Sequence, residues 1–189
     1  GLVDPADIPV TALTQLTSTG DKVIVAGLNA DGELVAFKQT GQHEGDAWAW
    51  TYVNISDDLT AQGMETPAFT ELIGYVTAWN SWTLAGVDPS GDIQGVWIAP
   101  GSFDRWRVDN LSAITGAPSI QGQLSVTLTD WSAINLGGVG EDGRLVDTWW
   151  VPGFGGRWVT RDLSAAASGE AITPGGITAG KSTFVNNVF

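Results

Sequence analysis

The sequence predicts an all-β protein built from tandem four-stranded units. Three observations carry that prediction: an internal repeat, a period-two apolar pattern within each copy, and glycine-bearing turns at matching places. Leu84-Ala85-Gly86-Val87-Asp88-Pro89-Ser90-Gly91-Asp92-Ile93 pairs with Leu136-Gly137-Gly138-Val139-Gly140-Glu141-Asp142-Gly143-Arg144-Leu145 at an offset of 52 residues (138 − 86). The same offset, without a gap, carries Trp79 to Trp131, Trp97 to Trp149, Arg105-Trp106 to Arg157-Trp158 and Leu111-Ser112 to Leu163-Ser164. An earlier copy, Val25-Ala26-Gly27-Leu28-Asn29-Ala30-Asp31-Gly32-Glu33-Leu34, is displaced by 59 residues (86 − 27). It closes at Trp50, 56 residues before Trp106 (106 − 50), so its loop around 39–47 is three residues longer. The repeats cover about 9–58, 67–114 and 118–166 of a single domain spanning 1–189, and each begins after a proline: Pro9, Pro67, Pro118. A fourth opening after Pro174 leaves one extra strand at 174–189.

Within a unit, the first strand precedes Trp79 or its equivalent Trp131. The second is illustrated by Trp82-Thr83-Leu84-Ala85, where large apolar groups alternate with small ones, as Ile134 and Leu136 alternate with Asn135 and Gly137. Turns follow at Asp31-Gly32, Ser90-Gly91 and Asp142-Gly143, where glycine supplies the positive φ that a hairpin needs. The third strand runs to Pro100-Gly101 or Pro152-Gly153, and the fourth opens on Arg-Trp. A short helical turn then fits 56–62, 112–116 and 164–168. Tandem four-stranded units of this length read as β-propeller-like blades. The alternative is a β-trefoil, which closes from three such units, but no Gln-x-Trp triplet stands at equivalent places. Three blades leave closure to a second copy, a longer array or a different geometry.

Composition narrows the chemistry. With 43% hydrophobic and 15% charged residues, the 189-residue chain can build a core and is not a disordered acidic tail. A formal charge of −13 repels a nucleic-acid backbone. No cysteine is present, which removes disulfide, thiolate-metal and cysteine-nucleophile chemistry. No apolar run approaches the roughly 18 residues of a membrane helix. The start, Gly1-Leu2-Val3-Asp4-Pro5, lacks a basic region and an apolar stretch, so any signal peptide is expected to have been removed or to lie outside this sequence. An acidic, Gly-, Thr- and Trp-rich, Lys-poor chain leans towards an extracellular or cell-surface location.

Gly86-Val87-Asp88-Pro89-Ser90-Gly91-Asp92-Ile93 and Arg105-Trp106-Arg107-Val108-Asp109-Asn110-Leu111 resemble the blades of tectonin-like and Photorhabdus-lectin-like propeller lectins. The resemblance covers roughly Pro9 to Ser164 and implies sugar binding between blades.

The repeat supplies its own control: residues common to all copies serve the unit, and residues that differ are free to serve a ligand. Trp50, Trp106 and Trp158 share one position and are expected in the core, with Ile55, Leu111 and Leu163 five residues on. Trp97 and Trp149 correspond instead to Lys38, Trp150 corresponds to Ile98 and Gln39, Trp79 and Trp131 to Gly20, and Trp48 has no counterpart. Trp79, Trp131, Trp150 and Trp48 are therefore the candidate ligand-binding residues, since exposed indoles suit pyranose faces or a partner protein; packing between units is the alternative.

No metal, cofactor or catalytic residue is expected. Asn29, Asp31 and Glu33 become Asp88, Ser90 and Asp92, then Gly140, Asp142 and Arg144, so no calcium ligand set survives alignment. The only imidazole, His43, sits in the lengthened loop, and Asp57-Asp58 and Glu141-Asp142 are sequence neighbours, not a facing carboxylate pair. Gly153-Phe154-Gly155-Gly156 opens no helix, so it is a loop and not a phosphate cradle. The nearly uncharged end, Gly180 to Phe189, is β-prone and is expected to add to a sheet of its own chain or of a neighbour, making a homo-oligomer. The function expected is a non-catalytic, lectin-like glycan-binding module acting through Trp-bearing inter-repeat loops. The alternative is a structural repeat that assembles a surface protein or extracellular fibre through terminal strands.

Overall fold

The structure is a computed structural model that describes residues 8–17, 23–44, 47–101 and 103–170. Each repeat forms its own four-stranded antiparallel sheet, in sequential order. The first sheet holds β1 (Thr11–Thr17), β2 (Val23–Leu28), β3 (Leu34–Glu44) and β4 (Ala47–Asn54). The second holds β5 (Glu71–Val76), β6 (Trp82–Val87), β7 (Ile93–Ala99) and β8 (Phe103–Asn110). The third holds β9 (Ile120–Leu128), β10 (Ile134–Gly140), β11 (Leu145–Trp150) and β12 (Val159–Asp162). This is the blade repeat of a propeller-like fold; a trefoil would pool strands from the three units. The extra strand expected at 174–189 lies outside the described residues.

One local device closes every blade. Asn54, Asn110 and Asp162 cap the single-turn helices α1 (Ile55–Thr60), α2 (Leu111–Thr115) and α3 (Leu163–Ala167), each side chain accepting a hydrogen bond from a backbone N–H of the first turn. The serine two residues after each cap accepts from the start of the third strand: Leu34 N–H to Ser56 at 2.8 Å, Ile93 N–H to Ser112 at 2.9 Å, Leu145 N–H to Ser164 at 2.9 Å. An unpaired buried N–H there would cost about 1–3 kcal/mol. The cap is further tied to the hairpin between the second and third strands. Asn54 Nδ2 donates to Glu33 at 3.1 Å and Asn110 Nδ2 to Asp92 at 2.9 Å, whereas Arg144 donates to Asp162 at 2.8 Å. The acid and amide of two blades are thus replaced by a base and an acid in the third. The turn residues that varied too much to hold calcium vary as a pair that keeps one cross-link.

Strand residues alternate between two faces, and both faces of a blade carry apolar side chains. Leu72, Leu84, Val96 and Trp106 face the first blade and join Leu16, Ile24, Ala26 and Ala36 in one core. From the other face, Tyr75, Ala85, Val87 and Ile93 meet Leu124, Ile134, Leu136 and Val146 of the third blade. The blades approach closely: a Cβ at Gly74 would lie 2.7 Å from Leu16 Cδ2, and Gly74 N–H donates to Thr14 Oγ1 at 2.8 Å. Hydrogen bonds also join the second and third blades, as from Ile120 N–H to the Gly91 carbonyl at 2.8 Å.

The three equivalent tryptophans do not share one environment. Trp106 is buried at 8% exposure, Trp158 is half-buried, and Trp50 is 46% exposed. Each points at the preceding blade, and among the described residues no blade precedes the first. The core role expected for Trp50 is therefore corrected, while full burial of Trp106 contributes roughly 1.5–3 kcal/mol.

The paired exchange at the cap predicts a charge-swap result. Arg144→Asp sets two carboxylates together and should lower Tm; adding Asp162→Asn recreates the acid–amide pair of the second blade and should recover most of the loss. Thermal melts at low salt of the single and double variants check this.

Candidate functional site: the cleft between the second and third blades

The two inter-blade junctions differ. Between the first and second blades, Leu16, Ile24, Ala36 and Val53 pack against Trp82, Leu84 and Trp106, leaving about 30 Å3 in the inner seam; a separate open hollow of about 370 Å3 lies outside it, between Asp58, Ala61 and Gln62 on one side and Ile98, Asp104, Arg105 and Trp106 on the other. Lys38 caps that junction with its ammonium 4.2 Å from the centre of the Trp82 ring, a cation–π contact. Between the second and third blades lies an open cleft of about 480 Å3. Its walls include Trp79, Trp97, Trp150 and Trp158, with Tyr75, Thr77, Thr83, Asp109 and Arg157 as polar groups.

Substitution at equivalent positions explains the difference. Leu16 is replaced by Tyr75, Ile24 by Thr83, Ala36 by Gly95, Lys38 by Trp97 and Val53 by Asp109; opposite them, Trp82 is replaced by Ile134. A closed apolar seam thereby becomes a wider, polar-lined one. The Trp97 indole donates to Asp109 Oδ2 at 2.8 Å and meets Phe103 edge-on at 5.9 Å, so its plane is fixed from both ends. Asp109 keeps its second oxygen for another donor. Burial pushes the Tyr75 phenol well above its ordinary range, the Asp109 carboxylate adds to that, and a hydrogen bond with Thr83 opposes it. Tyr75 therefore stays a neutral hydroxyl at any physiological pH.

Trp79 stands on a turn that the sequence repeats. Thr77 Oγ1 accepts from Ser81 N–H and Thr129 Oγ1 from Ala133 N–H, both at 2.9 Å, while Asn80 and Ser132 take the positive φ angles of 63° and 65°. The turn projects Trp79 across the cleft onto Trp150, ring centres 5.1 Å apart at 55°. Trp131, on the same turn one blade later, is 69% exposed and touches no such partner among the described residues.

Of the residues expected to bind, the structure brings Trp79 and Trp150 into one cleft, places Trp131 outside it, and leaves the Trp48 side chain outside the described residues. Trp97, Trp158, Tyr75, Asp109 and Arg157, which the sequence reading does not single out, also line the cleft. Their signal lay in the repeat: Tyr75 stands where the other blades have Leu16 and Thr127, and Asp109 where they have Val53 and Arg161. Arg157 follows the loop Val151–Gly156, with Phe154 leaning on Trp149 at 5.7 Å. Among the described residues no group of three acidic or histidine side chains could hold a metal ion.

No family model matches the chain, and no curated protein matches it. Among solved structures it is similar to AofleA from Arthrobotrys oligospora, with a TM-score of 0.54 at 14% identity, over 82% of this chain and 44% of that one. It is likewise similar to a triple arginine-to-alanine mutant of AofleA, with a TM-score of 0.57 at 15% identity, over 84% of this chain and 43% of that one. The likeness is one of fold, and this chain spans less than half the length of AofleA.

At the position of Gly95, the third blade carries Asp147, on the face turned away from the cleft. Burial raises its pKa, and the neighbouring Arg161 opposes the rise. A carboxyl whose folded pKa exceeds its unfolded value, about 3.9, costs stability above the folded pKa and nothing below the unfolded one. Asp147→Asn should therefore raise Tm at pH 7, with the gain shrinking as pH falls towards 4. Melts across that range check it.

Proposed function

We propose that the chain is a non-catalytic, lectin-like glycan-binding module of a secreted or surface-displayed protein, with the cleft between the second and third blades as its binding site. One observation carries this reading: the inner seam between blades, closed and apolar at one junction, is opened at the next and merges into a single cleft lined with indoles and hydrogen-bonding groups. A volume of about 480 Å3 falls in the roughly 300–1,000 Å3 range of small-molecule sites. Indole faces offer stacking surfaces for the C–H face of a pyranose, and Trp79 and Trp150 stand at the rim to do so. Asp109 accepts from sugar hydroxyls, Arg157 donates to them, and Tyr75 and the threonines do either. Stacking faces and hydrogen-bonding groups together support binding of a polyhydroxylated ligand.

The structural-assembly reading draws on a different observation, the exposed apolar face of the first blade around Trp50. It concerns the end of the array and does not compete for the cleft.

A glycan array followed by calorimetry tests the binding reading. Trp79→Ala, Trp150→Ala and Arg157→Ala should each weaken binding at least about tenfold, the equivalent of 1.4 kcal/mol. Asp31→Ala, on an exposed turn of another blade, should leave binding unchanged. Absence of any glycan ligand, or equal affinity in the tryptophan variants, would refute it.

A further inference from the structure

The inner seam between the first two blades holds an ammonium group of the chain's own. Lys38 lines it beside Leu16, Ile24 and Trp106, with its Nζ 4.2 Å from the centre of the Trp82 ring. An ammonium over an indole is attracted by the negative face of the ring, and more strongly where water is excluded. The fold thus already accommodates one positive charge between two blades.

At the next junction three exchanges act together. Trp97 stands in place of Lys38, so an indole replaces the cation; Ile134 replaces Trp82; and Asp109 replaces Val53, which sets a carboxylate in the wall. That carboxylate is half-buried, and the Trp97 indole occupies one of its oxygens at 2.8 Å. Among the described residues no lysine or arginine forms an ion pair with it. Arg157, the cationic side chain that lines the cleft, is exposed on the opposite wall, with its Nε 3.6 Å from where a Cβ at Gly155 would stand. A partly desolvated carboxylate gains most from a charged donor, since hydrogen bonds between ionised partners are roughly twice as strong as neutral ones. The indoles around it favour the same sign of charge through their faces. The net charge of −13 on the whole chain assists the approach of a cation.

We propose that the cleft selects an amino sugar carrying a free, protonated amine over its neutral N-acetylated counterpart, with Asp109 as the residue that reads the charge. The inference rests on the reading of this cleft as a glycan site and adds the charge of the sugar. Asp109 receives the ammonium through its second oxygen, while Trp79, Trp97 and Trp150 turn their rings to the sugar. Thr77, Thr83 and Arg157 serve the hydroxyl groups, which a simple alkylammonium ion lacks. The second junction then takes from its ligand the positive charge that Lys38 supplies at the first.

Calorimetry with the tetramer of glucosamine and the tetramer of N-acetylglucosamine tests this, at about pH 6, where an amine is protonated and an ordinary carboxyl is not. The free-amine tetramer should bind at least about tenfold more tightly. Asp109→Asn keeps an acceptor for the Trp97 indole but removes the charge, and should bring the two affinities to within about twofold of each other. Equal affinities in the wild-type chain overturn the proposal, and so does a preference for the amine that survives Asp109→Asn. If neutral glycans bind through Trp79 and Trp150 and the amine is not preferred, only this inference falls. If neither tetramer nor any other glycan binds, the reading of the cleft falls with it.

Discussion

The architecture depends on a central sheet that is apolar on both faces. A four-stranded sheet with one wet face can alternate apolar and polar residues and stand alone against a single partner. Here the alternation sets one apolar row against another, Leu72, Leu84 and Val96 on one side and Tyr75, Ala85 and Val87 on the other. The second blade is thereby packed between two neighbours, each contact one of the nearest-neighbour interfaces on which repeat architectures depend. The cap on each blade serves that arrangement: by tying the end of the fourth strand to the start of the third, Ser56, Ser112 and Ser164 fix the sheet that the neighbour must fit.

The candidate site arises from the same constraint through small departures from it. The junction between the first two blades keeps aliphatic groups on one wall and fills the space with Trp82. The next junction trades a leucine for Tyr75, an isoleucine for Thr83 and a valine for Asp109, and puts Ile134 where the indole would be. Each trade gives up some apolar contact, worth about 25 cal/mol per Å2 of burial. What remains is a cleft whose indoles are held in place, Trp97 by Asp109 and Trp79 by Trp150. The blades keep their cohesion through the inner strands, where Tyr75, Leu124 and Ile134 still close the core.

The fold was legible because repetition exposes it. Register between copies located all twelve described strands and the three helical turns, and the turn glycines marked the hairpins. The helices begin one residue earlier than expected because Asn54, Asn110 and Asp162 are the caps, and position rather than residue type decides that. The site was legible in part. Exposed indoles at unshared positions point to Trp79 and Trp150 but do not separate Trp131 from Trp79, since both stand on the same turn and, among the described residues, only Trp79 has a following blade to lean on. Trp50 was misplaced for the mirror-image reason. Equivalent positions predict equivalent environments only inside an array, and its ends break the equivalence. Asp109 and Tyr75 passed unnoticed because a strand residue that differs between copies signals nothing until the opposing blade is known.

The central claim is that the inner seam, sealed at one junction, opens at the next into a binding cleft, and indole N–H signals in a two-dimensional NMR titration test it most directly. With the sugar giving the strongest response on a glycan array, the account predicts shifts at Trp79, Trp97 and Trp150 while Trp82 and Trp106 stay still. Shifts at Trp82 and Trp106 with the cleft indoles unmoved would contradict it.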